Sequence, residues 1–244
     1  MLILDKDYKQ LAQQLVNWLQ DRVKTIGARG LVVGLSGGID SSVTGVLCQQ
    51  AFPRHTMGLI MPCESNPRDR EHALLLVDKY NIEYRVVDLD DTYNTMLKGL
   101  DSSQDDHLAR ANIKPRLRMT TLYYYANLRD SLVAGTGNRS ELELGYFTKY
   151  GDGGVDLEPL GNLVKTEVRE MAMALNIPRE IIDKKPSAGL WKGQSDEEEL
   201  GFSYQEVDNY LLNGKSSQQV TSTIEQLQCR NRHKLESPAI PNIK

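Results

Sequence analysis

The segment Ser36-Gly37-Gly38-Ile39-Asp40-Ser41-Ser42 is the first place in this 244-residue chain where residue types and spacing suggest chemistry. Two adjacent glycines let the backbone turn tightly and aim successive N–H groups at one point, which makes a nest for an anion. The segment lies between an apolar run, Leu31-Val32-Val33-Gly34-Leu35, and a stretch with helical spacing, Ser41 to Phe52. It therefore opens a helix, whose N-terminus favours negative charge. Ser36, Ser41 and Ser42 add hydroxyl donors. With no lysine and only two glycines, this is neither the Gly-x-x-x-x-Gly-Lys-Ser/Thr loop nor the three-glycine dinucleotide fingerprint. A glycine turn with a serine or aspartate cap is the plainer reading of such a segment. Three hydroxyls and a carboxylate gathered at the end of a strand favour phosphate binding instead. Asp40 beside polyphosphate would repel it unless a divalent cation bridged the two, and hard oxygen ligands suit Mg²⁺.

The elements that must hold this loop follow from periodicity. Asp5 to Ile26 reads as an amphipathic helix along Tyr8, Leu11, Leu15, Trp18, Arg22 and Ile26. Short apolar runs at 31–35, 56–61 and 82–87 read as strands, separated by helical patterns at 41–52 and 68–80. Strand-helix-strand repetition with strands apolar on both faces predicts a parallel α/β sheet. Further helices are expected at 91–100, at 112–129 (started or kinked near Pro115), and at 166–175, 204–212 and 218–230. A strand is expected at 131–134, a loop with one short strand at 155–157, and an irregular stretch at 189–193. The expectation is one domain over residues 1–244, with an N-terminal helix and a C-terminal helical extension.

Composition narrows the class. The chain has 29 basic and 33 acidic residues, a formal charge of -4, which disfavours a general nucleic-acid binder. Cys48, Cys63 and Cys229 are odd in number and lack metal-ligand spacing, so core thiols are expected for the first two. Nothing at the start reads as a leader, and no run of about 18 apolar residues suggests a membrane span. A cytoplasmic protein is the default expectation.

The loop resembles the pyrophosphatase loop of enzymes that cleave ATP to adenylate a substrate oxygen. NAD synthetases, GMP synthetases, argininosuccinate synthetases and several tRNA-modifying enzymes share it. Further segments resemble NAD synthetases in particular: Lys114-Pro115-Arg116-Leu117-Arg118-Met119, Gly135-Thr136-Gly137-Asn138-Arg139-Ser140-Glu141, Pro159 to Lys165, and Lys185 to Trp191 with Gln194 to Glu197. The most specific is Gly145-Tyr146-Phe147-Thr148-Lys149-Tyr150-Gly151-Asp152-Gly153-Gly154-Val155-Asp156. On these motifs, which cover about residues 8–235, the chain is identified as a member of the NAD synthetase family. Alternatives are a GMP synthetase-type amidotransferase domain, or a nucleotide-binding regulatory module that has kept the loop. Neither a purine-nucleotide site nor a thiol relay is visible for the first. The second would lack the metal ligands, yet Asp40, Glu141 and Lys165 are all present.

The resemblance implies a doubly wound, mostly parallel sheet with helices on both faces, similar to the adenine-nucleotide alpha-hydrolases. It implies that ATP adenylates the nicotinate carboxylate of deamido-NAD and that ammonia then displaces AMP to give NAD. Asp40 and Glu141 resemble the Mg²⁺ ligands. Gly34 and Leu35 with Ser36, Gly37, Gly38, Ile39, Asp40, Ser41 and Ser42, then Thr136, Lys165 and Ser187, resemble the ATP site. Lys165 is the expected phosphate cation. Ser187 stands where many relatives have threonine. Arg116, Lys149, Asp156, His233 and Lys234 resemble the deamido-NAD contacts, with the proline-containing tail folding back over the dinucleotide. Asp152 is expected to orient the incoming ammonia; a turn aspartate capping Gly153-Gly154 is the alternative. Arg118 is expected on a helix surface. Glutamine-dependent relatives carry a large amidase domain ahead of this unit. A first helix starting near residue 5 leaves no room for one, so free ammonia is implied, or a separate glutaminase that nothing in the sequence identifies. The family is homodimeric, and Tyr123-Tyr124-Tyr125 fits either such an interface or a core.

Overall fold

In a computed structural model of the chain, the described residues are 6–100, 107–187, 189, 191 and 193–243. Four parallel strands form the centre: β1 (Gly30–Gly34), β2 (Thr56–Ile60), β3 (Glu83–Val86) and β4 (Ser131–Ala134). Their spatial order is β3-β2-β1-β4. The chain therefore winds outward from β1 in one direction and then crosses to its other side. Helix α1 (Tyr8–Ile26) precedes β1, α2 (Ile39–Ala51) and α3 (Pro67–Tyr80) connect β1 to β3, and α4 (Asp90–Gly99), α5 (His107–Ala111) and α6 (Ile113–Leu128) lead to β4. After β4 come α7 (Arg139–Leu144), α8 (Lys165–Ala174), α9 (Arg179–Ile182), α10 (Asp196–Leu200), α11 (Tyr204–Asn213) and α12 (Gln218–Asn231).

Both faces of the sheet are covered, as expected for a doubly wound fold. On one side Leu31 and Val33 pack with α1, α2 and α8; on the other Val32, Met57 and Val133 meet α6 and Tyr93 of α4. Alternation along β1 thus feeds two cores from one strand. A third cluster joins Leu144 of α7 to Val207 of α11 and Ile224 of α12, which attaches the C-terminal helices beside the sheet's carboxyl end. Cys48 and Cys63 are buried and Cys229 is exposed.

Several expectations need correction. The buried stripe of α1 is Tyr8, Ala12, Val16, Leu19 and Val23, whereas Trp18 and Ile26 face outward. Two apolar stripes overlap on this helix, and close packing on α2 and α8 selects the one that includes the small Ala12. Asp7 caps α1 by accepting from the Lys9 and Gln10 amides; the expected start at Asp5 lies outside the described residues. β3 is exposed along its whole length because it lies at the sheet edge beyond the helices that cover β1, β2 and β4, so it is not apolar on both faces. Residues 155–157 form a single bridge, Leu157 to Ala134, rather than a strand. The short helices α5 and α10 fall outside the expected pattern. Pro115 sits in the first turn of α6, where its missing N–H costs no hydrogen bond.

Candidate active site

In open α/β sheets, ligands bind beyond the carboxyl ends of the strands where the strand order reverses. Here the reversal lies between β1 and β4. The loops leaving these two strands are Leu35–Gly38 and Gly135–Asn138, both among the segments singled out by sequence.

The first loop is folded largely by its own serines. Ser41 Oγ accepts from the Ser36 amide at 3.2 Å and donates to the Gly38 carbonyl at 3.0 Å, and Ser42 Oγ donates to the same carbonyl at 2.8 Å. Ser42 is fully buried. The hydroxyls of Ser41 and Ser42 therefore shape the turn from within. Gly37 has φ +72°, and a Cβ there would stand 2.1 Å from the Asp69 carbonyl oxygen. Only glycine fits that approach. Lys184 Nζ ties the contact by bonding Asp69 Oδ1 at 2.7 Å and the Gly37 carbonyl at 3.4 Å.

The second loop opens α7 through a capping box. Asn138 Oδ1 accepts from the Glu141 amide at 3.0 Å while Glu141 Oε2 accepts from the Asn138 amide at 3.2 Å. The remaining donor of buried Asn138, Nδ2, reaches Asp40 Oδ1 at 2.8 Å and so joins the two loops. Lys165, the first residue of α8, completes the centre. Its Nζ lies 2.6 Å from Asp40 Oδ2 and 2.9 Å from Glu141 Oε1, with the Tyr204 ring centroid 5.0 Å away. Burial pulls the Lys165 ammonium toward neutrality, but Asp40 and Glu141 outweigh it and hold it charged. Burial also pushes the Glu141 carboxyl upward; Lys165 opposes this and Asp40 adds to it. One nitrogen touching both carboxylates shows that a single cation can bridge them. This oxygen donor pair fits a hard divalent ion.

Thr136, Glu141 and Asp152 line one small cavity of about 40 Å³, together with Phe147 and Glu158. Asp152 Oδ1 accepts from the Thr148 amide at 2.8 Å, which fixes the turn of its own loop. Glu158 lies outside the segments that the sequence singles out. It accepts from the Gly137 amide at 3.0 Å, and a Cβ on Gly135 would lie 2.4 Å from its carboxylate. Burial pushes the Glu158 carboxyl up to about 8. A carboxyl whose pKa is higher folded than unfolded binds its proton more tightly in the folded state. Its contribution is complete below about 4.3 and is lost as pH rises through about 8. Glu158→Gln is therefore expected to melt with the parent at pH 5 and above it at pH 8.5, in thermal unfolding of the nucleotide-free protein. Parallel melting curves across that range would contradict the burial argument.

The expected dinucleotide contacts form a separate group. Arg116 is exposed on α6 and donates to the Asn112 and Lys149 carbonyls, both at 3.3 Å. Lys149 Nζ donates to the His233 carbonyl and lies 5.3 Å from the Tyr150 ring centroid. Lys234 Nζ donates to the carbonyls of Gly145 at 2.7 Å and Phe147 at 2.9 Å, which pins the tail to the 145–154 loop. Asp156 stands apart, accepting from Tyr123 Oη at 3.0 Å and the Val133 amide at 2.8 Å. Ser187 is exposed and accepts from the Gly189 amide; no contact among the described residues joins it to the loop. Arg118 is half-buried rather than fully on the helix surface. It turns inward to the Met61 carbonyl and Ser65 Oγ, each at 3.2 Å, and burial lowers its pKa.

Residues 11–238 match the NAD synthase family. The chain belongs to that family. It is 50% identical over 240 residues to the NH(3)-dependent NAD(+) synthetase of Carboxydothermus hydrogenoformans, covering 97% of this chain and 99% of that one. Among solved structures, it is similar to NMN synthetase from Francisella tularensis at 40% identity and TM-score 0.94, covering 98% of this chain and all of the other. It also resembles the NH3-dependent NAD synthetase of Campylobacter jejuni at 30% identity and TM-score 0.81, covering 97% of this chain and all of that one. These two solved structures share the α/β frame that brings Asp40, Glu141 and Lys165 together here. Among the described residues, no helix is long and apolar enough to cross a membrane.

Proposed function

We propose that the chain converts deamido-NAD to NAD with ATP and ammonia, acting as one domain in the cytoplasm. The observation that carries this reading is the convergence of Asp40, Glu141 and Lys165, from three separate elements, at the sheet's reversal point in a chain of this family. A nicotinate carboxylate oxygen attacks the α-phosphorus of ATP, forming the P–O bond as pyrophosphate leaves. Ammonia then adds to the activated carbonyl carbon, loses one proton, and expels AMP with that oxygen. A Mg²⁺ held by Asp40 and Glu141 would neutralise charge developing on the leaving pyrophosphate.

The chain's own residues divide the remaining work. The Gly37-Gly38 turn offers backbone N–H groups to the phosphates, and Lys165 supplies a charged partner once it exchanges a carboxylate for a phosphate oxygen. Thr136 and Ser187 offer hydroxyls to ATP. Asp152, lining the cavity beside Glu141, orients ammonia and takes up part of its positive charge. Arg116 and Lys149 meet the dinucleotide's anionic groups, with Asp156 at its polar edge and His233 and Lys234 closing over it. Tyr124 and Leu128 are exposed on α6, and Tyr84 and Val86 on β3. These apolar side chains favour a homodimer formed through that face.

The similarity to the Francisella protein supports a second reading, in which the mononucleotide form of the nicotinate substrate is used. Steady-state assays with Mg-ATP and ammonium should give a higher kcat/KM for deamido-NAD than for nicotinate mononucleotide. Glutamine alone should give no product with either. A reversed preference would move the assignment to the mononucleotide, and efficient glutamine use by the purified chain would overturn the ammonia reading.

A further inference from the structure

Asp208 is a fully buried carboxylate in the interior of α11, and the roles assigned above leave it unused. A buried carboxylate is costly unless fixed donors surround it. Asp208 has three. Its Oδ1 accepts from Ser140 Oγ at 2.5 Å, and its Oδ2 accepts from the Thr166 amide at 2.7 Å and from Thr166 Oγ1 at 2.5 Å. The short O–H···O distances are those of charge-assisted bonds, roughly twice as strong as neutral ones.

The sequence neighbours of these donors matter most. Ser140 immediately precedes Glu141, and Thr166 immediately follows Lys165. Ser140 Oγ also accepts the Lys165 amide at 3.0 Å, so the first two amides of α8 are satisfied by Ser140 and Asp208. Those amides are orphans at a helix start, and an anion beside them is favoured by the helix dipole. One carboxylate thus fastens the first turns of α7 and α8 to each other and to α11. Tyr204 lies four residues before Asp208, one helical turn away, and its ring faces the Lys165 ammonium. Helix α11 therefore holds Lys165 at two points, its backbone through Asp208 and its side chain through Tyr204.

We propose that Asp208 is a positioning residue of this active site: through Ser140 and Thr166 it sets Lys165 and Glu141 in the register that Asp40 requires. The inference rests on the catalytic reading of that trio. Small displacements of charged groups at a reacting centre cost rate steeply, since positioning and electrostatic stabilisation depend on geometry. An asparagine at 208 keeps the volume but converts one acceptor into a donor. If its oxygen serves Thr166, its Nδ2 faces Ser140 Oγ, and the Ser140 hydroxyl loses its acceptor.

The test pairs Asp208→Asn with Ser140→Ala and their double variant. Two readouts are taken: kcat and KM for NAD formation, and Mg²⁺-dependent binding of a non-hydrolysable ATP analogue by calorimetry. The expected result for Asp208→Asn is a fall in kcat of about 10- to 100-fold, on the scale of one misplaced group. KM for deamido-NAD should change less than threefold, and the Mg²⁺ dependence of analogue binding should weaken. The Ser140→Ala and Asp208→Asn losses in kcat should be non-additive, because both break one chain of contacts. Thr166→Ser, which keeps the hydroxyl, should retain activity that Thr166→Val loses. A folded Asp208→Asn with parental kcat and parental Mg²⁺-dependent binding, changed only in melting temperature, would overturn the proposal. The calorimetric arm reads the same trio without turnover. A parent that bound the analogue but made no NAD would count against the reaction, and that arm would still decide the role of Asp208.

Discussion

Lys165→Ala is expected to lower kcat by roughly 10²–10³, the scale for removing one preorganised charge partner of a transition state. The reason lies in where the ammonium sits. It is held within 3 Å of both Asp40 and Glu141 and against the Tyr204 ring, in a site that keeps it protonated. A positive group fixed in advance of the reaction needs little reorganisation when negative charge moves onto pyrophosphate. Removing it also leaves two carboxylates facing each other without the cation that bridges them. The variant is therefore expected to need no more Mg²⁺ than the parent for half-maximal rate, while its KM for deamido-NAD stays near the parental value. Initial rates over a Mg²⁺ series check both statements. A selective loss of deamido-NAD affinity, with kcat intact, would assign Lys165 to the dinucleotide instead.

Asp40→Asn is expected to abolish most pyrophosphate release, by about 10²-fold or more, while leaving the fold intact. Asparagine can still accept the Asn138 Nδ2 bond through its amide oxygen. Its own Nδ2 would then face Lys165 Nζ, turning an ion pair into a contact between two donors. Lys165 is left with Glu141 alone, and a hard divalent ion loses one of two carboxylate ligands. Circular dichroism with a pyrophosphate-release assay separates chemistry from folding. A folded Asp40→Asn enzyme with parental release would remove Asp40 from the reaction.

How much of this was readable in the sequence depends on how local each feature is. The Ser36–Ser42 loop is contiguous, and its two glycines and carboxylate announce a nest before any fold is known. Strands β1 and β2 are buried runs of the expected length and β4 is half-buried under α6, whereas β3 is exposed, a property of what packs over it rather than of its four residues. Asn138-x-x-Glu141 is a capping-box spacing, so Asn138 could have been found beside Glu141. Asp208 also left a trace: it lies on the buried stripe of α11 with Tyr204 and Val207, where an acid demands partners. Its partners are 42 and 68 residues away, so only the fold names them. The Lys184–Asp69–Gly37 contact and the inward turn of Arg118 are long-range in the same way. The hydroxyls of Ser41 and Ser42 were legible as polar groups, but whether they face a ligand or their own backbone is settled by loop geometry.

The central claim is that Asp40, Glu141 and Lys165 serve attack of a carboxylate oxygen on the α-phosphorus of ATP. The most direct measurement starts from deamido-NAD labelled with ¹⁸O in the nicotinate carboxylate, incubated with Mg-ATP and ammonium and followed by mass spectrometry. Adenylation predicts that each NAD formed is matched by one AMP and one pyrophosphate, with a single ¹⁸O carried into the AMP phosphate. Formation of ADP with ¹⁸O in inorganic phosphate would instead show attack at the γ-phosphorus and contradict the account.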